Sequence, residues 1–121
     1  MLRTIRKENQ ELRELLIRLR KASHSHEAPV WGAVAARLDR GRHRTAPVNV
    51  GHLDRLTEPQ ETVVVPGKLL AGGELHKPLT VAAFQFSEAA RTKIHAAGGH
   101  AVSIDDLLKS APNGSGVRLF A

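Results

Sequence analysis

The chain has 121 residues, with 18 Lys and Arg against 12 Asp and Glu, a formal net charge of +6 and no cysteine. That length supports one domain with one core, spanning 1–121, and the missing cysteines exclude disulfides, thiolate metal sites and sulfur nucleophiles, with a cytoplasmic location the simpler expectation. The longest apolar stretch falls far short of the ~18–20 residues a membrane helix needs, and no apolar signal-peptide core follows the N-terminal basic residues, so no membrane partner is expected.

The charge is unevenly spread: residues 1–68 hold 13 basic and 8 acidic side chains, residues 69–121 hold 5 and 4. A polyanion meets the N-terminal half first. Residues 1–8 carry Arg3, Arg6 and Lys7 without a sustained apolar face and read as a short basic N-terminal arm that orders on a partner. Asn9 then reads as a helix N-cap, and Leu12, Leu15, Leu16 and Leu19 recur at i, i+3, i+4 and i+7, one buried stripe of an amphipathic helix. Arg13 and Arg20 fall on its outer surface, and Glu14 and Arg18 have the spacing of an ion pair.

After the polar linker Ser23–Glu27, Pro29 occupies a first helical position and Trp31, Val34, Ala35 and Leu38 follow the helical period. A second helix ends near Gly41, with Trp31 as a core anchor in preference to a base-stacking platform. The densest positive charge follows: Arg37, Arg40, Arg42, His43 and Arg44, with Asp39 the one acid among them. Arginine's planar fork matches phosphate oxygens and stacks on bases, so arginines at a helix end suit a folded RNA; a solvated loop is the alternative.

Val48-Asn49-Val50 alternates like a short strand, Leu53 and Leu56 suggest a helical turn, and Glu58-Pro59-Gln60 reverses the chain. Thr62–Val65 is a strand covered on both faces, ended by Pro66-Gly67. Leu79–Phe86 reads as the longest strand. Ser87 caps a helix from Glu88 to Ala97, stopped by Gly98-Gly99. Ala101-Val102 is extended, and Ser103 caps a further helix. In its first turn Asp105 and Asp106 are stabilised by the helix dipole. Pro112-Asn113-Gly114 turns into a strand, Val117–Phe120.

Chemistry is sparse. Only His24-x-His26 among seven histidines has a metal-like spacing, and without a nearby acid cluster it is weak, so no metal is expected. Gly67–Gly73 lacks both the P-loop Lys-Ser/Thr and a dinucleotide fingerprint, and no Gly-x-Ser-x-Gly elbow occurs. Catalytic residues, cofactor and small-molecule substrate are therefore expected to be none. Gly114-Ser115-Gly116 reads either as a phosphate cradle beside Arg118 or as a simple turn.

The run from Thr62-Val63-Val64-Val65-Pro66-Gly67-Lys68 through Ala71-Gly72-Gly73-Glu74-Leu75, Leu79–Arg91 and Ile94–Gly99 resembles the archaeal and eukaryotic eighteen-type protein of the large ribosomal subunit. Its tail is also similar to the bacterial large-subunit protein fifteen. Three further blocks in the same order extend the resemblance over nearly the whole chain: Asn9–Ser23, Val30–Arg44 and Pro112–Arg118. The length looks archaeal. Departures from the family's pattern fall at Gln10, Pro47, Ala71 and the Phe120-Ala121 end.

The resemblance implies an α/β fold, a single compact domain with two N-terminal helices packed on irregular repeating strand/strand/helix units. It implies a structural, non-enzymatic constituent of the large ribosomal subunit in the cytoplasm, bound to large-subunit rRNA beside neighbouring ribosomal proteins and not a homo-oligomer. The expected RNA contacts are Arg37, Arg40, Arg42, His43 and Arg44, supported by Arg3, Arg6, Lys7, Asn49 and Lys68, with Arg118 a further phosphate contact. The alternative is a non-catalytic protein-interaction module docking through the first helix, or an RNA-binding paralogue acting off the ribosome.

Overall fold

The computed structural model describes residues 2–39 and 47–120, with side chains from Gln10 onward. In chain order the elements are α1 (Leu2–Ser25), α2 (Pro29–Asp39), β1 (Val48–Asn49), α3 (Val50–Leu56), β2 (Thr62–Leu70), β3 (Thr80–Phe86), α4 (Glu88–Ala96), β4 (His100–Ser103), α5 (Ile104–Ser110) and β5 (Val117–Leu119). The strands form one all-parallel sheet. β2 lies centrally, with β3 and then β4 on one side. On the other, β1 pairs with Leu69 and Leu70 while β5 pairs with Thr62–Val64.

A parallel sheet survives when both faces are covered, and the alternation of β2 and β3 divides the core accordingly. Val64 and Ala82 point into a cluster with α1, α2 and α5, built on Leu15, Leu16, Leu19, Trp31, Leu38 and Leu107. Val63, Val65, Val81 and Ala83 point the other way, onto Val50 and Leu53 of α3 and Ala90 and Ile94 of α4. Each buried leucine or valine contributes about 1.5–3 kcal/mol of transfer free energy. The expected α/β architecture, with the N-terminal helices packed on the sheet, is what forms.

Trp31 is fully buried, and its Nε1–H donates to the Pro112 carbonyl at 2.9 Å, which fastens α2 to the turn before β5. Two of the expected caps form. Ser87 Oγ accepts from the Ala90 amide at 3.1 Å and Ser103 Oγ from the Asp106 amide at 3.0 Å. At the end of α4 the Gly98 amide donates to the His95 carbonyl and the Gly99 amide to the Ile94 carbonyl.

Four local expectations are corrected. The first helix starts at Leu2, so Arg3, Arg6 and Lys7 lie on helical backbone instead of an irregular arm before an Asn9 cap. No glycine or proline occurs between Leu2 and Ser25, so nothing breaks the helix upstream of Asn9. Glu14 Oε1 accepts from Gln10 Nε2 at 3.3 Å, and Arg18 reaches Asp105 of α5 at 2.8 Å in place of the i, i+4 pair. Pro66-Gly67 does not end β2: the register shifts between Val65 and Lys68, and this irregularity accommodates a proline that cannot donate to the ladder. Consequently β2, at 9 residues, is longer than β3, at 7.

A candidate nucleic-acid interface

Because long cations can either serve the fold or remain available to a ligand, the described lysines and arginines fall into two groups. Lys93 Nζ donates to the Ala71 carbonyl at 2.8 Å and the Gly73 carbonyl at 2.6 Å. Lys77 Nζ binds the carbonyls of Asp54 and Thr57 at the end of α3, where a cation complements the helix dipole. Arg20 pairs with Asp39 at 2.8 Å, and Lys109 lies 3.6 Å from Asp105. The Arg91 guanidinium stands 4.8 Å over the Phe86 ring. By contrast, Arg13, Lys21, Arg37, Arg55 and Lys68 are exposed and have no hydrogen bond or ion pair among the described residues.

The expected contacts divide along that line. Arg37, in the last turn of α2, and Lys68, the one exposed residue within β2, have no partner among the described residues. Arg40, Arg42, His43 and Arg44 lie outside the described residues, as do the side chains of Arg3, Arg6 and Lys7. Arg118 is occupied: its Nη1 donates to the Leu56 carbonyl at 2.8 Å, approaches Glu61 at 3.4 Å, and its guanidinium lies 5.6 Å from the Phe120 ring centre. The turn before it is built for packing, since a Cβ on Gly114 would stand 2.5 Å from Val30 Cγ1.

Asn49 sits at the N-cap of α3 yet makes no cap bond. Its Oδ1 instead accepts from the Gly72 amide at 2.9 Å, while the Gly51 amide donates to the Gly72 carbonyl, also at 2.9 Å. Further along, the His76 amide donates to Asp54 Oδ1 at 2.8 Å and the imidazole Nδ1 lies 3.3 Å from Oδ2. That backbone N–H, helped by the His76 ring and the Lys77 charge against the opposing effect of burial, lowers the Asp54 pKa. Between α3 and the 71–76 loop these bonds leave a groove of about 470 Å³, at the carboxyl ends of β1 and β2. Sequence reading missed Lys77, Lys93 and this groove, because each depends on partners about 20 or more residues away, and it did not single out Arg55, a lone basic residue in a short helix. Among the described residues, no cluster of three or more His, Asp or Glu could hold a metal ion, and no helix is long and apolar enough to cross a membrane.

The family model described as ribosomal protein 60S L18 and 50S L18e matches residues 2–121. The chain belongs to this ribosomal protein family. Its relatives include the large ribosomal subunit protein eL18 of Methanopyrus kandleri, 49% identical over 117 residues, covering 93% of this chain and 92% of the relative. The eL18 of Archaeoglobus fulgidus is 49% identical over 116 residues, with 96% and 99% covered. That of Methanoregula boonei is 40% identical over 120 residues, 99% of both chains. The resemblance carried by the Thr62–Gly99 run and by the shorter blocks is thus a family relationship, and these relatives are archaeal, as the length suggested.

Proposed function

We propose that this protein is a structural constituent of the large ribosomal subunit in the cytoplasm and holds folded large-subunit rRNA through arginine and lysine contacts to phosphate. The observation that carries the ribosomal part is membership of the 60S L18/50S L18e family over residues 2–121. The RNA-contact part is supported by the excess of positive charge in residues 1–68 and by the division of the cations, with Arg37 and Lys68 without a partner among the described residues. Arg37, Arg40, Arg42, His43 and Arg44 form the principal contact, supported by Arg3, Arg6, Lys7, Asn49 and Lys68. Arg118 contributes chiefly by holding β5 to the end of α3, and reaches RNA only with the exposed part of its side chain.

Mechanistically, each phosphate neutralised releases condensed counterions, giving a slope of about −0.7 to −0.9 in log affinity against log salt. Folded ribosomal RNA offers shape, bulges and 2'-hydroxyls, so phosphate and sugar contacts with guanidinium stacking are expected instead of a sequence code. Neighbouring ribosomal proteins are the other partners, the chain acts as one copy, and no turnover is involved. The test is filter binding of the wild type and an Arg40→Ala/Arg42→Ala/Arg44→Ala variant to large-subunit rRNA across a salt series. A loss of about 2–3 from the slope is expected, and an unchanged slope and affinity would remove these arginines from the interface.

One observation favours a docking role for α1: Ile17 is 59% exposed on a helix whose opposite stripe is buried. Docking on a neighbouring protein is compatible with RNA binding elsewhere. Under the pure interaction-module reading the triple variant keeps its partner and RNA binding is absent from the start.

A further inference from the structure

We propose that the groove between α3 and the 71–76 loop receives a single unpaired nucleotide and holds it by its base. This rests on the RNA-binding reading above and extends it to a site distinct from the arginine segment.

Four features converge. The groove lies outside the carboxyl ends of parallel strands β1 and β2, the usual position of ligand crevices in open α/β sheets, and its 470 Å³ is within the ~300–1,000 Å³ typical of small-molecule sites. That is room for one nucleotide and too little for a duplex. The walls are tied across by Asn49 to Gly72, Gly51 to Gly72 and Asp54 to His76, and Lys93 clamps the loop from behind, so the cleft is formed before anything enters. Preorganisation of this kind lowers the ordering cost of binding.

The lining also selects what enters. Asp54 and Glu74 face the same space as Arg55, and this acidic share disfavours a phosphate while tolerating an uncharged polar group. Asn49 spends its Oδ1 on Gly72, and its amide Nδ2, with two donor hydrogens, has no partner among the described residues. Base edges present matching acceptors. His52 and Arg55, both exposed and three residues apart on α3, offer planar groups for stacking, and the His52 ring is held edge-on to Phe120 with centroids 5.9 Å apart. Unstacked bases on histidine or guanidinium planes with amide donors at their edges are a common mode of single-stranded RNA recognition.

The experiment is chemical probing of large-subunit rRNA bound to the full chain, with base-methylating reagents for base edges and hydroxyl radicals for the backbone. Two variants are compared with wild type. Asn49→Asp keeps an acceptor for the Gly72 amide and places a carboxylate at the N-cap of α3, where it is stabilising, but deletes the amide donors. His52→Ala/Arg55→Ala removes the stacking planes. Wild type is expected to shield one or two isolated unpaired bases, and both variants to expose them while the backbone footprint persists. Affinity should fall about 5- to 150-fold for the double variant. Base protections unchanged in both variants, with RNA still bound, would overturn the groove assignment and leave the ribosomal reading standing. A wild type that leaves no footprint at all would overturn both.

Discussion

Adjacent glycines at the end of α4 carry different loads, and alanine at each should separate them. Gly98 has φ 86°, and an added Cβ would meet only Pro78 Cβ at 3.7 Å, an ordinary contact. Its substitution costs the left-handed backbone term, about 1–2 kcal/mol, less the entropy that alanine removes from the unfolded chain, for a net of about 1 kcal/mol. Gly99 is buried, and its Cβ would fall 2.2 Å from the Leu79 carbonyl oxygen and 2.8 Å from the Leu79 nitrogen. Those atoms are backbone, and the same Leu79 carbonyl accepts from the His100 amide at 2.9 Å. Relief must therefore displace the start of β3 or β4, which places Gly99→Ala at the upper end of overpacking costs, about 3 kcal/mol. Urea unfolding followed by circular dichroism reads both, and in a chain of this size about 1 kcal/mol corresponds to about 4 °C in Tm. Gly99→Ala should melt about 12 °C below wild type and Gly98→Ala about 4 °C below. If Gly98→Ala were the more damaging of the two, the assignment of steric load to Gly99 would be refuted.

Trp31→Phe removes the bond to the Pro112 carbonyl and part of a fully buried ring, so unfolding measurements should show a loss of about 2 kcal/mol with the sheet retained. Asp54 has a depressed pKa, so its contribution to stability is present above the unfolded carboxyl value of about 3.9 and lost as pH falls through its folded value. Asp54→Asn should accordingly lower Tm at pH 7 and flatten the decline in acid, the two proteins converging at low pH in a Tm–pH series. Arg37→Ala, which breaks no bond among the described residues, should leave Tm unchanged while reducing the salt slope of rRNA binding by about 0.7–0.9.

Much of the fold was legible because its signals are local. The Leu15, Leu16 and Leu19 stripe, the Ser87 and Ser103 caps and the consecutive β-prone residues of Thr62–Val65 each act within a few residues of themselves. Pro66-Gly67 misled because a local breaker was absorbed by a register shift whose cause lies in neighbouring strands. The all-parallel pairing was beyond reach for the same reason: which edge of β2 receives β1 and which β5 is decided by contacts spanning tens of residues. At the site, charge density marked Arg37 as available. It could not reveal that Arg118 is engaged by Leu56 and Glu61, that Lys93 and Lys77 hold carbonyls, or that Asn49 braces Gly72 instead of capping its helix.

The most direct test of the central claim is sucrose-gradient sedimentation of cell lysate at moderate and high salt, with fractions probed for this protein. On the proposed reading the protein co-sediments with the large subunit and is retained through the high-salt wash, because many phosphate contacts within a folded RNA would hold it there. A protein that stays at the top of the gradient at both salts would contradict a structural place in the subunit.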